Sequence, residues 1–97
     1  MTLIRVLYFG MLRDLAGQRE EKIEIDGAAN LSELVKLISD RHSSKFENFV
    51  FESSGKLREG FAFAVDGSSI SQPRLRQIKC KDVFEFAILP PISGGSF

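Results

Sequence analysis

Apolar residues recur along the chain in two patterns, one with a period of two residues and one with a helical period. Alternation over a few residues is typical of a strand with two different faces, whereas apolar side chains at i, i+3, i+4 and i+7 indicate an amphipathic helix. The first pattern, or a short apolar run, predicts strands at residues 3–9, 22–26, 61–65 and 83–89. The second predicts one long helix, starting after Asn30 and ending around Arg41 or His42.

The signals at the ends of these segments agree with this division. Asn30 is a favoured N-cap residue, and Glu33 stands three residues later, as in a capping box. The helix stripe that follows consists of Leu31, Leu34, Val35, Ile38 and, more widely, Leu37. Shorter elements are predicted as a helical turn over residues 11–16, a short helix or irregular cover over 45–52, and a brief edge strand at Ile70.

The faces of the strands predict how the segments pack. Side chains two apart lie on the same face of a strand. In the first strand both faces are largely apolar, and one of them should meet the core: Ile4, Val6 and Tyr8, or Leu3, Arg5, Leu7 and Phe9. In the third strand Phe61, Phe63 and Val65 share one face, and in the last strand we expect Phe84, Phe86 and Ile88 to face the core. Placing the first and last strands side by side at the centre buries all of the phenylalanine-rich segments. The predicted fold class is α+β, a roll in which a mixed four- to five-stranded sheet packs on one main helix.

Size and charge narrow the class of protein. Ninety-seven residues, 43% of them hydrophobic, suit one domain with one core. Thirteen basic and thirteen acidic residues cancel, so no net charge favours nucleic acid or an anionic membrane, and neither is an expected partner. With neither a secretory signal nor a transmembrane stretch in the pattern, a cytoplasmic location is expected.

Few side chains offer chemistry of their own. Cys80 lies beside lysines that would lower its pKa, although an incidental thiol is the simpler interpretation. His42 is interpreted as a residue favoured by the dipole at a helix C-terminus. A basic run around Leu75 and Ile78 is interpreted as a solvated loop; it contains Arg74, Arg76, Lys79 and Lys81. The sequence shows no metal-ligand set and no nucleophile–base pair, so an independent enzyme is not expected.

The last predicted strand runs directly into Pro90 and Pro91, and then into Ile92, Ser93 and a glycine pair. Proline has no N–H for a sheet ladder, so pairing should stop at Pro90. Gly94 and Gly95 have no side chain, so their backbone is able to enter a narrow channel. A rigid body followed by a thin tail fits a protein whose working atom is its own backbone carboxyl group; the alternative is an ordinary frayed end.

Two motifs give these features a family resemblance. The early one is Phe9-Gly10-x-Leu12-Arg13-x-Leu15-x-Gly17, and the late one is Asp82-x-x-x-Phe86-x-x-Leu89-Pro90-Pro91-x-Ser93-Gly94-Gly95. Together they resemble the MoaD/ThiS sulfur carriers, which are ubiquitin-like β-grasp proteins, and the ending is closer to MoaD, the small subunit of molybdopterin synthase. The resemblance implies a β-grasp domain over residues 1–91 and a flexible tail over 92–97.

The resemblance also implies a chemistry. Gly95 would be the acyl carrier, with Gly94 as the slim residue before it, and a MoeB/ThiF-like adenylating enzyme would spend ATP to activate the glycine carboxylate. Sulfur would then replace AMP to give a thiocarboxylate. The carrier binds no cofactor or metal and delivers sulfur to a MoaE-like large subunit or another acceptor, as in thiamin, cysteine or tRNA thiolation pathways. The other candidate functions are a ubiquitin-like protein modifier and a non-covalent interaction domain.

The chain departs from the family pattern in one respect, because Ser96 and Phe97 follow the glycine pair. The Gly95 carbonyl therefore belongs to an amide, and activation requires cleavage of the Gly95–Ser96 bond. We expect a separate metalloprotease to trim it; a permanent extension and a cloning remnant are the alternatives.

Contacts with partners are expected beside the tail. Phe9 and Leu89 lie at neighbouring strand ends, where they form either an exposed apolar patch or a pair covered by their own loops. The family motif implies a partner contact at Arg13, although a solvated arginine is the ordinary alternative. Pro90, Pro91, Ile92 and Ser93 complete the predicted partner-binding set.

Overall fold

The computed structural model describes residues 1–91 of the chain. Within them lie five strands, three α-helices and two short 3₁₀ helices, which agrees with the predicted α+β class. The strands are β1 Thr2–Tyr8, β2 Glu20–Ile25, β3 Ala62–Val65, β4 Ser68–Ile70 and β5 Glu85–Leu89. The α-helices are α1 Met11–Ala16, α2 Leu31–Arg41 and α3 Ser44–Val50, and the 3₁₀ helices are Gln72–Gln77 and Cys80–Asp82.

The five strands form one mixed sheet in the order β2-β1-β5-β3-β4. The pairing of β1 with β5 is parallel, with Arg5 opposite Glu85 and Tyr8 opposite Ile88, and the other neighbours are antiparallel. The prediction that the first and last strands are central neighbours is therefore confirmed. Because they are parallel, both strands end at the same edge of the sheet, and β3 begins there, with Ala62 opposite Leu89.

Helix α2 covers one face of this sheet, and its ends follow the sequence signals. The Asn30 side chain accepts a hydrogen bond from the Glu33 N–H at 2.9 Å, and the Glu33 carboxylate accepts one from the Asn30 N–H at 3.0 Å. This capping box is worth about 1 kcal/mol of helix stability. The predicted stripe is buried at Leu31, Leu34, Val35 and Ile38.

The core between α2 and the sheet is built largely from aromatic and β-branched side chains. Phe63 and Phe86, on adjacent strands, stack with their ring centroids 5.6 Å apart. The stretch predicted as a short helix or irregular cover is helix α3, whose N-cap is Ser43. It buries Phe46 and Val50 completely, so it closes the core rather than lying loosely over it.

None of the helices within residues 1–91 has the length and apolar character needed to cross a bilayer.

Phe84 was predicted in the core, and this prediction is wrong. The Phe84 side chain is 83% exposed, whereas Val83, predicted on the other face, is buried. The reason is the carboxylate of Asp66, which accepts hydrogen bonds from the N–H groups of Phe84 at 3.1 Å and Glu85 at 2.8 Å. This contact bends the chain immediately before β5, so the sheet register starts only at Glu85 and Val83 takes the inner position.

The basic segment was predicted as a loop, yet it contains the 3₁₀ helix Gln72–Gln77, with Pro73 in its first turn. Leu75 is buried in the core and anchors the segment, while Arg74 and Arg76 remain exposed. The spacing of apolar residues did not indicate this helix, because a single buried leucine does not make a periodic pattern.

A polar cluster of Tyr8, Glu21 and His42 links β1, β2 and the end of α2. One Glu21 carboxylate oxygen accepts a hydrogen bond from the Tyr8 hydroxyl at 2.7 Å, and the same oxygen lies 2.8 Å from His42 Nε2. The imidazole also stacks on Phe46, with the ring centroids 4.9 Å apart. His42 was interpreted through the helix dipole alone; its main contacts are instead with side chains from other elements.

The cluster changes the acidity of its members. Burial raises the pKa of Tyr8 well above its ordinary value, and the hydrogen bond to Glu21 raises it further. Burial also raises the pKa of Glu21, but the hydrogen bonds from Tyr8 and His42 and the charges of His42 and Arg41 outweigh it, so the net shift of the Glu21 pKa is downward. Glu21 is therefore an ionised acceptor at neutral pH.

The substitution Glu21→Gln is expected to reduce the free energy of unfolding by about 1–3 kcal/mol at pH 7, because it removes a charged acceptor from a largely buried cluster. The pKa of Glu21 is lower in the folded chain, so its contribution is present above the unfolded value and is lost as the pH falls through the folded value. Urea denaturation should show wild type and variant converging below the ordinary glutamate pKa of 4.5.

Glu24→Gln is the matched control, since it makes the same chemical change at an exposed position of the same strand. It should alter the free energy of unfolding by less than about 0.5 kcal/mol. A Glu21→Gln difference that stays constant from neutral to acid pH would contradict the assignment.

The bend before β5 gives a second prediction. Phe86→Ala should cost about 3–5 kcal/mol of unfolding free energy, because it opens a cavity in the core. Phe84→Ala should cost no more than about 0.5 kcal/mol, because its ring lies in solvent. The midpoints of denaturant unfolding curves measure both losses, provided that the curves of the variants and the wild type have equal slopes. Equal losses of unfolding free energy at the two positions would contradict the exposed placement of Phe84.

Candidate functional site

The carboxyl end of β5 is where the predicted tail leaves the domain. Pairing stops after Leu89, as the prolines predicted, with Pro90 half-buried and Pro91 exposed. Because β5 is central, this exit is flanked by β1 on one side and β3 on the other. Ile92, Ser93, Gly94, Gly95 and Ser96, which carry the predicted chemistry and part of the predicted binding, lie outside the described residues.

Two glycines lie against the two prolines, in contacts that the sequence did not predict. Gly10, two residues after the end of β1, has a φ of 55°, and a Cβ there would lie 3.0 Å from Pro90 Cγ. Gly60, two residues before β3, has a φ of 92°, and a Cβ there would lie 2.8 Å from Pro91 Cβ. We call Gly10, Gly60, Pro90 and Pro91 the proline seat.

Each glycine of the seat is required for two physical reasons. A positive φ is strained for residues with a side chain. In addition, a Cβ at Gly60 would displace Pro91, and a Cβ at Gly10 would press tightly on Pro90. Gly10 forms part of the early motif, but Gly60 carried no signal beyond its place before a strand. Its partner Pro91 is distant in sequence, so only the folded chain shows the contact.

Phe9 and Leu89, the predicted apolar pair, are both half-buried at this edge. They form neither a fully exposed patch nor a fully covered one. The adjacent strand ends bring them to the same edge as the seat, so an apolar surface accompanies the exit of the tail.

Arg13 makes contacts within the chain. Its Nε donates a hydrogen bond to the Tyr8 carbonyl at 2.9 Å, and its guanidinium carbon lies 5.2 Å from the centroid of the Phe9 ring. These contacts hold the turn between β1 and α1, which carries Gly10. Arg13 therefore has a structural role at this turn, and its contact with a partner stays a prediction.

Cys80 is completely buried, and its thiol lies 3.6 Å from the Asn30 carbonyl oxygen, to which it donates. Burial raises the pKa of Cys80 to about 11, and the charge of Glu33 adds to the shift. The suggestion that nearby lysines lower this pKa is wrong, because both Lys79 and Lys81 project to the exposed side. A protonated, buried thiol is a poor nucleophile, which supports the interpretation of an incidental thiol.

Other chemical groups are sparse in the part of the chain that the structure describes. Within residues 1–91, no group of three or more His, Cys, Asp or Glu side chains is arranged to hold a metal ion. The features gathered at one edge of the sheet are the end of β5, the proline seat and the apolar pair. The candidate site is therefore the edge of the sheet at which the tail begins.

Comparison with known proteins identifies relatives of the whole chain. A protein from Caenorhabditis briggsae named molybdopterin synthase sulfur carrier subunit is 28% identical over 95 residues, covering 98% of this chain and all of that protein. SAMP1 from Haloferax volcanii superposes with a TM-score of 0.80 at 25% identity, covering 96% of this chain and 99% of that one. A putative molybdopterin converting factor, subunit 1, from Pyrococcus furiosus gives a TM-score of 0.71 at 29% identity, covering 95% and 100%.

These structural relatives share the ubiquitin-like β-grasp architecture seen here, a mixed sheet with a helix packed on it. The sequence profile of the ThiS family matches residues 6–95, from the first strand to the second glycine of the pair. The match spans nearly the whole chain and includes both motifs noted in the sequence. The chain therefore belongs to the ThiS family of β-grasp sulfur carriers.

Proposed function

We propose that this chain carries sulfur as a thiocarboxylate on Gly95, and that the sulfur serves molybdopterin synthesis. The observation that carries the proposal is that the family match ends at Gly95, although at least two residues follow it. The full-length similarity to a relative named molybdopterin synthase sulfur carrier subunit supports the choice of pathway. Thiamin synthesis, cysteine synthesis and tRNA thiolation are alternative destinations.

The chemistry explains why a carrier needs no catalytic side chain. A carboxylate is a poor acyl donor because it is anionic and stabilised by resonance. One of its oxygens attacks the α-phosphorus of ATP, pyrophosphate leaves, and the mixed anhydride with AMP is uncharged at the acyl carbon. A sulfide equivalent from a donor then attacks that carbon and AMP leaves, which gives the thiocarboxylate. ATP and the donor belong to the partner enzymes, in particular a MoeB/ThiF-like adenylating enzyme.

In this proposal, the role of residues 1–91 is to position the tail. The exit at the central strand gives the tail a firm origin, and Gly94 and Gly95 add no side-chain bulk beyond it. Phe9, Arg13, Leu89 and the prolines form one edge, against which the adenylating enzyme and a MoaE-like large subunit would dock in turn, with Ile92 and Ser93 continuing the contact. In this proposal residues 1–91 form the domain that partners bind, and residues 92–97 form the tail that enters their active sites. The proposed location is the cytoplasm.

Activation at Gly95 requires a preceding hydrolysis. Ser96 holds the Gly95 carbonyl in an amide, which has no carboxylate oxygen to attack ATP. Water must cleave the Gly95–Ser96 bond, releasing Ser96 together with the residues after it. A metalloprotease that trims ubiquitin-like tails is the expected agent.

A second function is favoured by the similarity to SAMP1, a protein described as a small archaeal modifier. In that case activated Gly95 would acylate a lysine of another protein. Trypsin digestion would leave residues 82–95 as a branch on that lysine, because Lys81 is the last basic residue before the tail. Finding such branches would support a modifier. A non-covalent domain with an uncleaved tail would give neither branches nor a thiocarboxylate.

The requirement for a free Gly95 carboxylate gives a direct prediction. A chain that ends at Gly95 should support ATP–pyrophosphate exchange by the adenylating enzyme of the same organism, and the 97-residue chain should not. A chain ending at Ser96 is the matched control, since it has a free carboxylate one residue too late. Exchange supported equally by the 97-residue chain would contradict activation at Gly95.

A further inference from the structure

We propose that Gly10 and Gly60 are positioning residues that set the direction in which the tail leaves the sheet. The inference rests on the proposed function for its consequence, since direction matters only if the tail must enter a partner's active site. The contacts themselves do not depend on that function.

The two contacts come from opposite sides of β5. Gly10 follows β1 and touches Pro90, whereas Gly60 precedes β3 and touches Pro91, and β1 and β3 flank β5 in the sheet. Consecutive residues of the exiting chain are therefore held from alternate sides. Proline adds to this restraint because its ring fixes φ near −65°, so few backbone directions remain at Pro91.

A small tilt at the seat has a large effect at the acyl carbon. Gly95 lies four residues beyond Pro91, which corresponds to at most about 14 Å of extended chain, so a tilt of about 15° would move the far end by about 3–4 Å. Misplacement of a reacting group by about 1 Å is able to cost a hundredfold in rate. The seat is thus placed where it controls the orientation of the acyl group most strongly.

The chain offers a control that separates the contact from backbone strain. Gly67, in the turn between β3 and β4, has a φ of 87°, close to the 92° of Gly60, but a Cβ at Gly67 would meet nothing within 4 Å. Gly17 also has a positive φ, 76°, and no neighbour within 4 Å, but its ψ is 13° where that of Gly10 is −135°, so Gly17→Ala controls only for alanine at a positive φ. Alanine at a control position adds the strain without displacing a proline.

The test uses the 97-residue chain with Ser96→Cys carrying a nitroxide label, and it records which amide signals the label broadens in NMR spectra. Buried Cys80, with its raised pKa, should not react with the label. Wild type, Gly17→Ala and Gly67→Ala are expected to give the same broadened set. Gly60→Ala should move that set toward the β1–α1 turn, and Gly10→Ala should move it toward the start of β3.

Identical broadening in Gly60→Ala and Gly67→Ala would overturn the proposal, as would weak and uniform broadening in the wild type. Should Gly60→Ala fail to fold, Pro91→Gly removes the ring from the other side of the same contact without straining residue 60. It is also expected to change the broadened set, and an unchanged set would overturn the proposal.

The enzymatic consequence is measured separately, on chains ending at Gly95. Gly60→Ala should lower kcat/KM for ATP–pyrophosphate exchange by about ten- to a hundredfold relative to Gly67→Ala. Equal values for these two variants would overturn the role in activation. If the unsubstituted chain ending at Gly95 supports no exchange, the proposed function fails, while the label experiment still decides whether the seat directs the tail.

Discussion

The parallel pairing of β1 with β5 places two central strands side by side, with their carboxyl ends at one edge of the sheet. Parallel strands need a long connection between them, and here almost the whole chain lies between β1 and β5. The pairing brings the segment after β1 next to the residue after β5, which is how Gly10 comes to lie against Pro90. The site at the start of the tail therefore exists only once the most distant segments have paired.

Several other contacts reinforce the same edge. Tyr8, the last residue of β1, is held by Glu21 and His42 through its hydroxyl and by Arg13 through its carbonyl. These bonds connect the end of β1 with β2, with the end of α2 and with the turn that carries Gly10. The edge that presents the tail is thus supported by polar contacts in addition to the apolar core. By contrast, Phe84, at the opposite end of β5, is left in solvent.

Local patterns predicted the elements well where one periodic signal dominated. The stripe and capping box of α2 reappear in the structure as expected, and so does the alternation of residues 22–26, with Ile23 and Ile25 at the buried positions of β2. Phe84 was misplaced because alternation was extended past the point where Asp66 bends the chain, and this contact joins residues 18 apart. The Gly60–Pro91 contact and the Glu21–His42 pair are also long-range, so no local pattern contains them. The tail chemistry was predicted from residue types and from the family resemblance, and it remains a proposal.

The central claim is that the chain works through the carboxyl group of Gly95. The most direct test is the intact mass of the protein isolated from its native cells. We expect a species that ends at Gly95, with one oxygen replaced by sulfur in part of the population. A population that retains Ser96 throughout, with no trimmed species and no sulfur, would contradict the claim and leave a binding domain with an uncleaved tail.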